Sequence, residues 1–314
     1  MSLKVGIVGA AGYAGAELIR LVLGHPEFEL VAITSNADAG QPLSAVYPSF
    51  AGVSDLVFTT HDAPELKSCD AVFLAVPHTA AMAQVPALLA SGVSCFDLSA
   101  DYRLNDASVF ETWYAAEHTS PELLKTRAFG LPELFCRDLE TAASDHADGK
   151  PVLVACAGCY PTATSLAAAP AVRAGWVAEN GPVIVDAISG VTGAGKSCNA
   201  RTHFCSADEN LEAYGVGKHR HTPEIEQILD LTDRVVFTPH LAPLKRGLLS
   251  TVTMPLAPQA LDALALEDVV DHYKKFYAGR SFVRVLDAGQ QPKTASVVGT
   301  NAAQIGLALN KRAG

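Results

Sequence analysis

The sequence is short of positive charge, of long apolar runs and of paired cysteines, and each shortage removes a class of protein. With 23 Lys and Arg against 33 Asp and Glu, its 314 residues carry a formal net charge of -10. Nucleic acid and anionic membrane surfaces both need a basic face to offset their own charge, so neither is expected as a partner. An anionic small molecule must be held by local cations instead. No apolar run reaches the ~20 residues that span a bilayer, and Met1 to Lys4 lead straight into a strand without the apolar core of a signal peptide. The expectation is a soluble, cytoplasmic protein. Seven cysteines at irregular spacing make no disulfide framework in a chain this long and fit a reducing compartment. Internal repeats and low-complexity segments are also lacking.

What is present is core-forming material: 49% of residues are apolar and 18% charged, which favours a large core over disorder. The length exceeds what one core usually serves, so two domains are expected.

The chemistry centres on VLVACAGCYPTATS, residues 152–165. Val152 to Ala155 read as a buried strand, Gly158 permits a tight turn, and Pro161 suits the first turn of a helix. Cys159 then falls at or beside a helix N-terminus, where amides and the positive dipole end favour a thiolate. The alternative is a buried structural cysteine. The CAGC spacing also suits a redox or zinc half-site, but no second CxxC follows.

In chain order, the strand Lys4–Val8 ends in GAAGYAG, followed by a helical pattern over 16–23. Gly9, Gly12 and Gly15 form a GxxGxxG variant of the dinucleotide fingerprint, and Ala11, Tyr13 and Ala14 lie on the same turn. A second strand, Glu29–Thr34, ends in Ser35 and Asn36 where NAD-preferring sites carry an acid. Without a carboxylate there to repel a 2′-phosphate, NADP is expected, though no Arg stands nearby and Asp38 follows. Further βαβ units place Pro77 and His78 after the strand 70–76, a helix over 80–90, and Ser99 to Arg103 after the strand 93–98. Such alternation means a doubly wound parallel sheet with ligands at the carboxyl ends of its strands. Arg103 can clamp a phosphate or carboxylate there, or serve as a surface ion-pair partner. Residues 105–150 read as helices and loops, with 142–150 a surface loop.

Beyond the cysteine, a helix over 163–174 is expected to break or kink at Pro170. The strand Val183–Ile188 leads into SGVTGAGKS, which satisfies GxxxxGK[ST] over 190–197. A P-loop NTPase is therefore an alternative, although the residues after Ser197 lack the apolar periodicity of the helix a P-loop opens. The weaker inference is an anion on these glycine amides. In HRHTPEI, Thr222 reads as an N-cap with Pro223 at N1, while His219 and His221 lie in an extended lead-in on one side. A helix N-terminus would keep such a histidine neutral, as a proton donor or acceptor needs. No metal is expected: His203, Cys205 and His240 could supply a third ligand, but their spacing matches no metal motif. From 234 onward, strands over 235–238, 248–254 and 282–285, with a helix over 266–276, suggest an antiparallel or mixed sheet serving as a subunit interface.

Together GAAGYAG, DLSADYR, AGCYPTA, SGVTGAG and HRHTPEI closely resemble the motifs of the N-acetyl-gamma-glutamyl-phosphate reductases, part of the semialdehyde dehydrogenase superfamily. The resemblance covers almost the whole chain, and GCYPT with HRHxPEI is specific. It implies an α/β fold: a Rossmann-like NADP-binding domain over 1–156, and an α+β catalytic and oligomerisation domain over 157–300. Residues 301–314 would return toward the first domain, incompletely, because the family's DNLxKGAAGQA-type segment does not occur before Gly314. It implies a homodimer or homotetramer acting on an acyl phosphate, with Cys159 as nucleophile and His219, then His221, handling protons. Ser189 and Gly190 join the cofactor candidates; Ser99, Arg103 and Lys196 are the substrate candidates. The runners-up are aspartate-semialdehyde dehydrogenase and an aminoadipyl-phosphate reductase. From other classes they are the P-loop NTPase and a non-catalytic NADP-binding sensor.

Overall fold

The computed structural model describes residues 2–314, and the chain divides into two compact units, Met1–Ala157 and Gly158–Gly314. The first is built on a six-stranded parallel sheet: β1 (Leu3–Val8), β2 (Phe28–Thr34), β3 (Ala71–Leu74), β4 (Ser94–Asp97), β5 (Ala128–Gly130) and β6 (Leu153–Cys156). The spatial order is β2-β1-β3-β4-β6-β5. The order reverses between β1 and β3, and a crevice opens there at the carboxyl ends of the strands. Val5, Ile7, Val72 and Leu74 are fully buried, as expected of parallel strands covered on both faces. Ile19 and Val22 of the helix Tyr13–Leu23 pack in one core cluster; Val85, Leu88 and Phe110 pack in another.

Three expectations need correction here. β5 is only three residues long, too short for periodicity to show within a polar stretch. The expected loop over 142–150 is largely helix, Pro132–Ala147, with no fully buried residue and hence a polar composition. The helix expected over 80–90 begins only at Val85.

The second unit holds β7 (Val183–Gly190), β8 (Glu212–Ala213), β9 (Val235–Ala242), β10 (Leu248–Thr253), β11 (Val283–Val285) and β12 (Ala303–Ile305). Four of these form a mixed sheet, β10-β7-β9-β8, in which β7 and β9 run parallel and β10 and β8 pair antiparallel at the edges. Burial alternates along β7, with Val183, Val185 and Ala187 inside and Ile184 and Asp186 outside. The inner face meets the helix Cys159–Arg173, where Thr164 and Ser250 share a hydroxyl hydrogen bond of 2.9 Å. Tyr273 and Tyr277 of the helical layer donate to the Ala167 and Leu166 carbonyls of that helix at 2.9 and 2.6 Å.

Pro170 neither breaks nor ends the helix, which continues to Arg173. β11 does not join the main sheet but pairs with β12 alone. Residues 301–314, expected to return to the first domain, group with the second unit, where the Leu256 amide donates to the Gly314 carbonyl at 3.0 Å. No helix among the described residues is long and apolar enough to cross a membrane.

Candidate active site

In the second unit, Gly158 is the extended N-cap of the helix and Cys159 its first residue, exposed to solvent. The Gly158 amide donates to Glu224 Oε1 at 2.8 Å. Glu224 is 1% exposed and lies in the first turn of the helix Thr222–Leu229. One carboxylate therefore sits at the amino ends of two helices, where both dipoles favour it. Tyr160, also buried, donates to the His240 carbonyl at 3.2 Å and accepts from the Tyr214 hydroxyl at 3.2 Å. Both phenols feel the charge of Cys159, which raises their pKa in addition to the larger effect of burial.

These rings surround His219. Its centroid lies 5.8 Å from Tyr160, 5.4 Å from Tyr214, 5.2 Å from Phe237 and 4.9 Å from His221. Burial among them, helped by the Arg220 charge, pushes the His219 pKa down to about 4, so the ring is neutral near pH 7. The expected neutrality thus has a different cause: desolvation rather than a helix terminus. The lead-in is also a turn, not an extended segment, and the His221 amide donates to His219 Nδ1 at 3.2 Å. An amide N–H can only donate, so Nδ1 accepts and the neutral ring carries its proton on Nε2. Thr222 is the first helical residue rather than the N-cap, a position His221 takes.

The loop after β7 is not a P-loop. Val191–Ala194 form a short 3-10 turn, and the next helix, Phe204–Ala207, is four residues long. Ser189 is buried and donates to the Gly190 carbonyl at 3.1 Å, and a Cβ on Gly190 would meet the Leu244 carbonyl at 2.7 Å. Gly190 is thus needed for close strand packing. Lys196 is exposed. Arg201, from the same loop, lies 5.7 Å over the Tyr214 ring and pairs with Glu212 at 3.0 Å, both half-exposed. Among the described residues, no group of three or more His, Cys, Asp and Glu gathers to hold a metal.

In the first unit the glycines of GAAGYAG differ in purpose. Gly9 has φ +78°, and a Cβ there would meet the Ala75 carbonyl at 2.3 Å; at Gly15 it would meet Ala10 Cα at 2.5 Å. Both permit the tight turn and close helix packing. At Gly12 a Cβ would touch only the Gly9 carbonyl, at 3.5 Å, so the protein itself does not require a glycine. A bare Gly12 leaves the amino end of the helix open to a pyrophosphate, and a dinucleotide fits. Tyr13, Ala14 and Pro77 are exposed around it, while Ala11 is buried, its carbonyl accepting from Tyr47 at 2.8 Å. Ser35 donates to Asp38 Oδ2 at 2.6 Å, which gives that carboxylate a partner within the protein.

The DLSADYR segment is held by a dense set of its own hydrogen bonds. Ser99 is 2% exposed, and its hydroxyl donates to Asp97 Oδ2 at 2.9 Å while accepting from the Asp101 amide at 3.1 Å. Arg103 is 7% exposed and donates to the carbonyls of Cys156 and Leu98 at 2.8 and 2.7 Å. Asp101 accepts from the Thr79 and Met82 amides at 2.6 and 3.0 Å. These bonds brace the carboxyl ends of β4 and β6 and the loop after β3. Burial raises Asp97 to about 6, against the lowering effect of its bonds from Ser99. The two cysteines of CAGC are also unlike: burial pushes Cys156 up to about 12, whereas Cys159 is exposed.

Comparison with known proteins agrees with this division. Residues 4–142 match the model of the semialdehyde dehydrogenase NAD-binding domain, and residues 159–314 that of the semialdehyde dehydrogenase dimerisation domain. An N-acetyl-gamma-glutamyl-phosphate reductase from Symbiobacterium thermophilum is 45% identical over 317 residues, covering 99% of this chain and 87% of the relative. The chain belongs to the N-acetyl-gamma-glutamyl-phosphate reductase family. Another N-acetyl-gamma-glutamyl-phosphate reductase, from Janthinobacterium, is 43% identical, covering 97% of this chain and 86% of its own. Aspartate semialdehyde dehydrogenase II from Vibrio cholerae shares the fold at 14% identity, with a TM-score of 0.70 over 98% of this chain and 88% of its own. Against this family frame, sequence reasoning missed Tyr160, Tyr214, Phe237 and the bond to Glu224. Tyr160 and Glu224 were visible within the quoted motifs. Tyr214 and Phe237 carry no local signal, because only tertiary packing brings them to His219.

Proposed function

We propose that the chain reduces N-acetyl-gamma-glutamyl phosphate with NADPH to N-acetylglutamate semialdehyde and phosphate, through a thioester on Cys159. The observation that carries this reading is an exposed cysteine at the first position of a buried helix, next to phenols that also enclose a neutral imidazole. The Cys159 sulfur attacks the acyl carbon; a C–S bond forms, the C–O bond to phosphate breaks, and the departing phosphate takes a proton. First-turn amides of the cysteine helix lie outside its own hydrogen-bond ladder and face the developing oxyanion. His219, with its proton on Nε2, donates to that oxygen, and His221 supports it through its amide. A dinucleotide whose pyrophosphate the Gly9–Gly15 turn would hold, with Ser35 and Pro77 as further candidate contacts, would supply the hydride that reduces the thioester. The resulting thiohemiacetal oxyanion collapses as the C–S bond breaks, returning the thiolate and releasing the aldehyde.

Substrate phosphate and carboxylate charge fall to Lys196 and Arg201, since Arg103 is engaged in the first unit's brace. The enzyme is read as cytoplasmic and as a homodimer or homotetramer. Assembly through the open sheet face is supported by the neighbouring Ile184 and Val236, 38% and 51% exposed. The test is phosphate-dependent NADP reduction with N-acetylglutamate semialdehyde beside aspartate semialdehyde. Turnover of the first and not the second is expected; the reverse overturns the assignment of the acyl group.

A further inference from the structure

The helix that follows the two histidines has His221 as its N-cap and Glu224 as its third residue. A glutamate at that position ordinarily reaches back to the N-cap amide of its own helix, which closes a capping box. The helix Leu266–Phe276 shows this ordinary arrangement in the same unit: Asp268, also third, accepts from the amide of the N-cap Ala265 at 2.9 Å. At Glu224 the carboxylate is directed elsewhere. Its Oε1 accepts from the Gly158 amide at 2.8 Å, in the turn before Cys159, while the His221 amide donates to His219 Nδ1 at 3.2 Å.

Both bonds bear on groups that react. Gly158 is the extended N-cap immediately before the cysteine, so a bond to its amide sets how the first turn presents the sulfur. With Glu224 only 1% exposed, water does not compete for that bond. The His221 amide, in turn, is what keeps Nδ1 an acceptor and the His219 proton on Nε2.

We propose that Glu224 is a positioning residue of the reaction: by turning to Gly158 it sets the Cys159 turn and leaves the His221 amide to hold His219 as the Nε2–H donor. This deepens the reading in which Cys159 attacks and His219 donates, and rests on it. Side-chain length matters here, because a shorter acid at the third position has its own N-cap within reach, as Asp268 does.

The test is the semialdehyde assay on full-length Glu224 variants, read beside NADPH binding by fluorescence, thermal midpoint and imidazole nitrogen NMR, with the His219 signal assigned by its loss in His219→Phe. Glu224→Ala lowers kcat ~10²-fold, as misplacing reacting groups by ~1 Å does, and leaves NADPH affinity unchanged. Glu224→Gln keeps an oxygen for the Gly158 amide and recovers most of that loss. Glu224→Asp closes the box on His221 instead: kcat stays as low as in Glu224→Ala, the thermal midpoint is no lower, and part of His219 carries its proton on Nδ1. A kcat for Glu224→Asp equal to that of Glu224→Gln overturns the role, and so does a His219 tautomer unchanged in Glu224→Asp. Failure of Glu224→Gln to recover activity means that the charge acts rather than the bond, and overturns it too. The comparison of Asp with Gln stands by itself where Glu224→Ala does not fold. Wild-type turnover in Cys159→Ser overturns the underlying chemistry together with this role, which separates the two failures.

Discussion

Residues 97–103 and 219–224 look alike as text: short, polar and rich in groups that titrate or donate. Folded, they are opposites. In the first, the charged side chains turn inward to the backbone, Arg103 to two carbonyls and Asp101 to two amides. In the second, His219 is enclosed by aromatic rings while its Nε2 keeps a proton to offer. A motif of polar residues thus identifies a place where geometry is tightly set. Whether it braces the fold or does chemistry is decided by where its hydrogen bonds go.

The widest test of that contrast is activity. Cys159→Ser lowers kcat by at least ~10³-fold, because the hydroxyl lacks a thiolate's nucleophilicity; cofactor binding and thermal midpoint are unchanged. Loss of both would make the thiol structural and erase the contrast. His219→Phe keeps the aromatic packing but removes the donor, and lowers kcat by ~10²- to 10⁴-fold. Arg103→Met acts on the other side of the comparison. It leaves two carbonyls without their donor, about 2–4 kcal/mol together, read as a fall in the urea midpoint with kcat per folded molecule little changed. A large kcat loss at unchanged stability would instead return Arg103 to the substrate.

The finest test is the pH dependence of stability, where the two segments have opposite signs. His219 is depressed to about 4 in the fold, against ~6.5 unfolded. Between these values the unfolded chain binds more protons, so this contribution rises with pH and is lost as pH falls from ~6.5 toward 4. Asp97 is raised to about 6, against ~3.9 unfolded. There the folded chain binds more protons, and the contribution declines as pH rises through the same window. Between pH ~4 and ~6.5 the denaturant midpoint should rise less with pH, or fall, in His219→Phe and rise more in Asp97→Asn, each relative to wild type. Identical slopes in both variants would remove the distinction.

Much of this was legible in the residues. The parallel sheet, the glycine turn, the position of Cys159 and the helix Leu266–Phe276 follow from local pattern. What escaped was set at long range. β5 exists because β6 is there to pair with it, and the helix at Pro170 survives because its alanines are packed on both sides. Ser99 and Arg103 were placed correctly at a strand end, but their burial and their bonds to backbone and neighbouring side chains carry no local signal. His219 was expected to be neutral by proximity to a helix, whereas the rings responsible come from three separate segments.

The single carboxylate of Glu224, reaching a backbone amide 66 positions upstream, has an evolutionary corollary. It fixes the start of the cysteine helix to the start of the helix after the histidines directly, not by way of the intervening polypeptide. The loops of that stretch, outside β7 and Tyr214, can therefore drift or lengthen for other acyl chains while sulfur and imidazole keep their mutual registration.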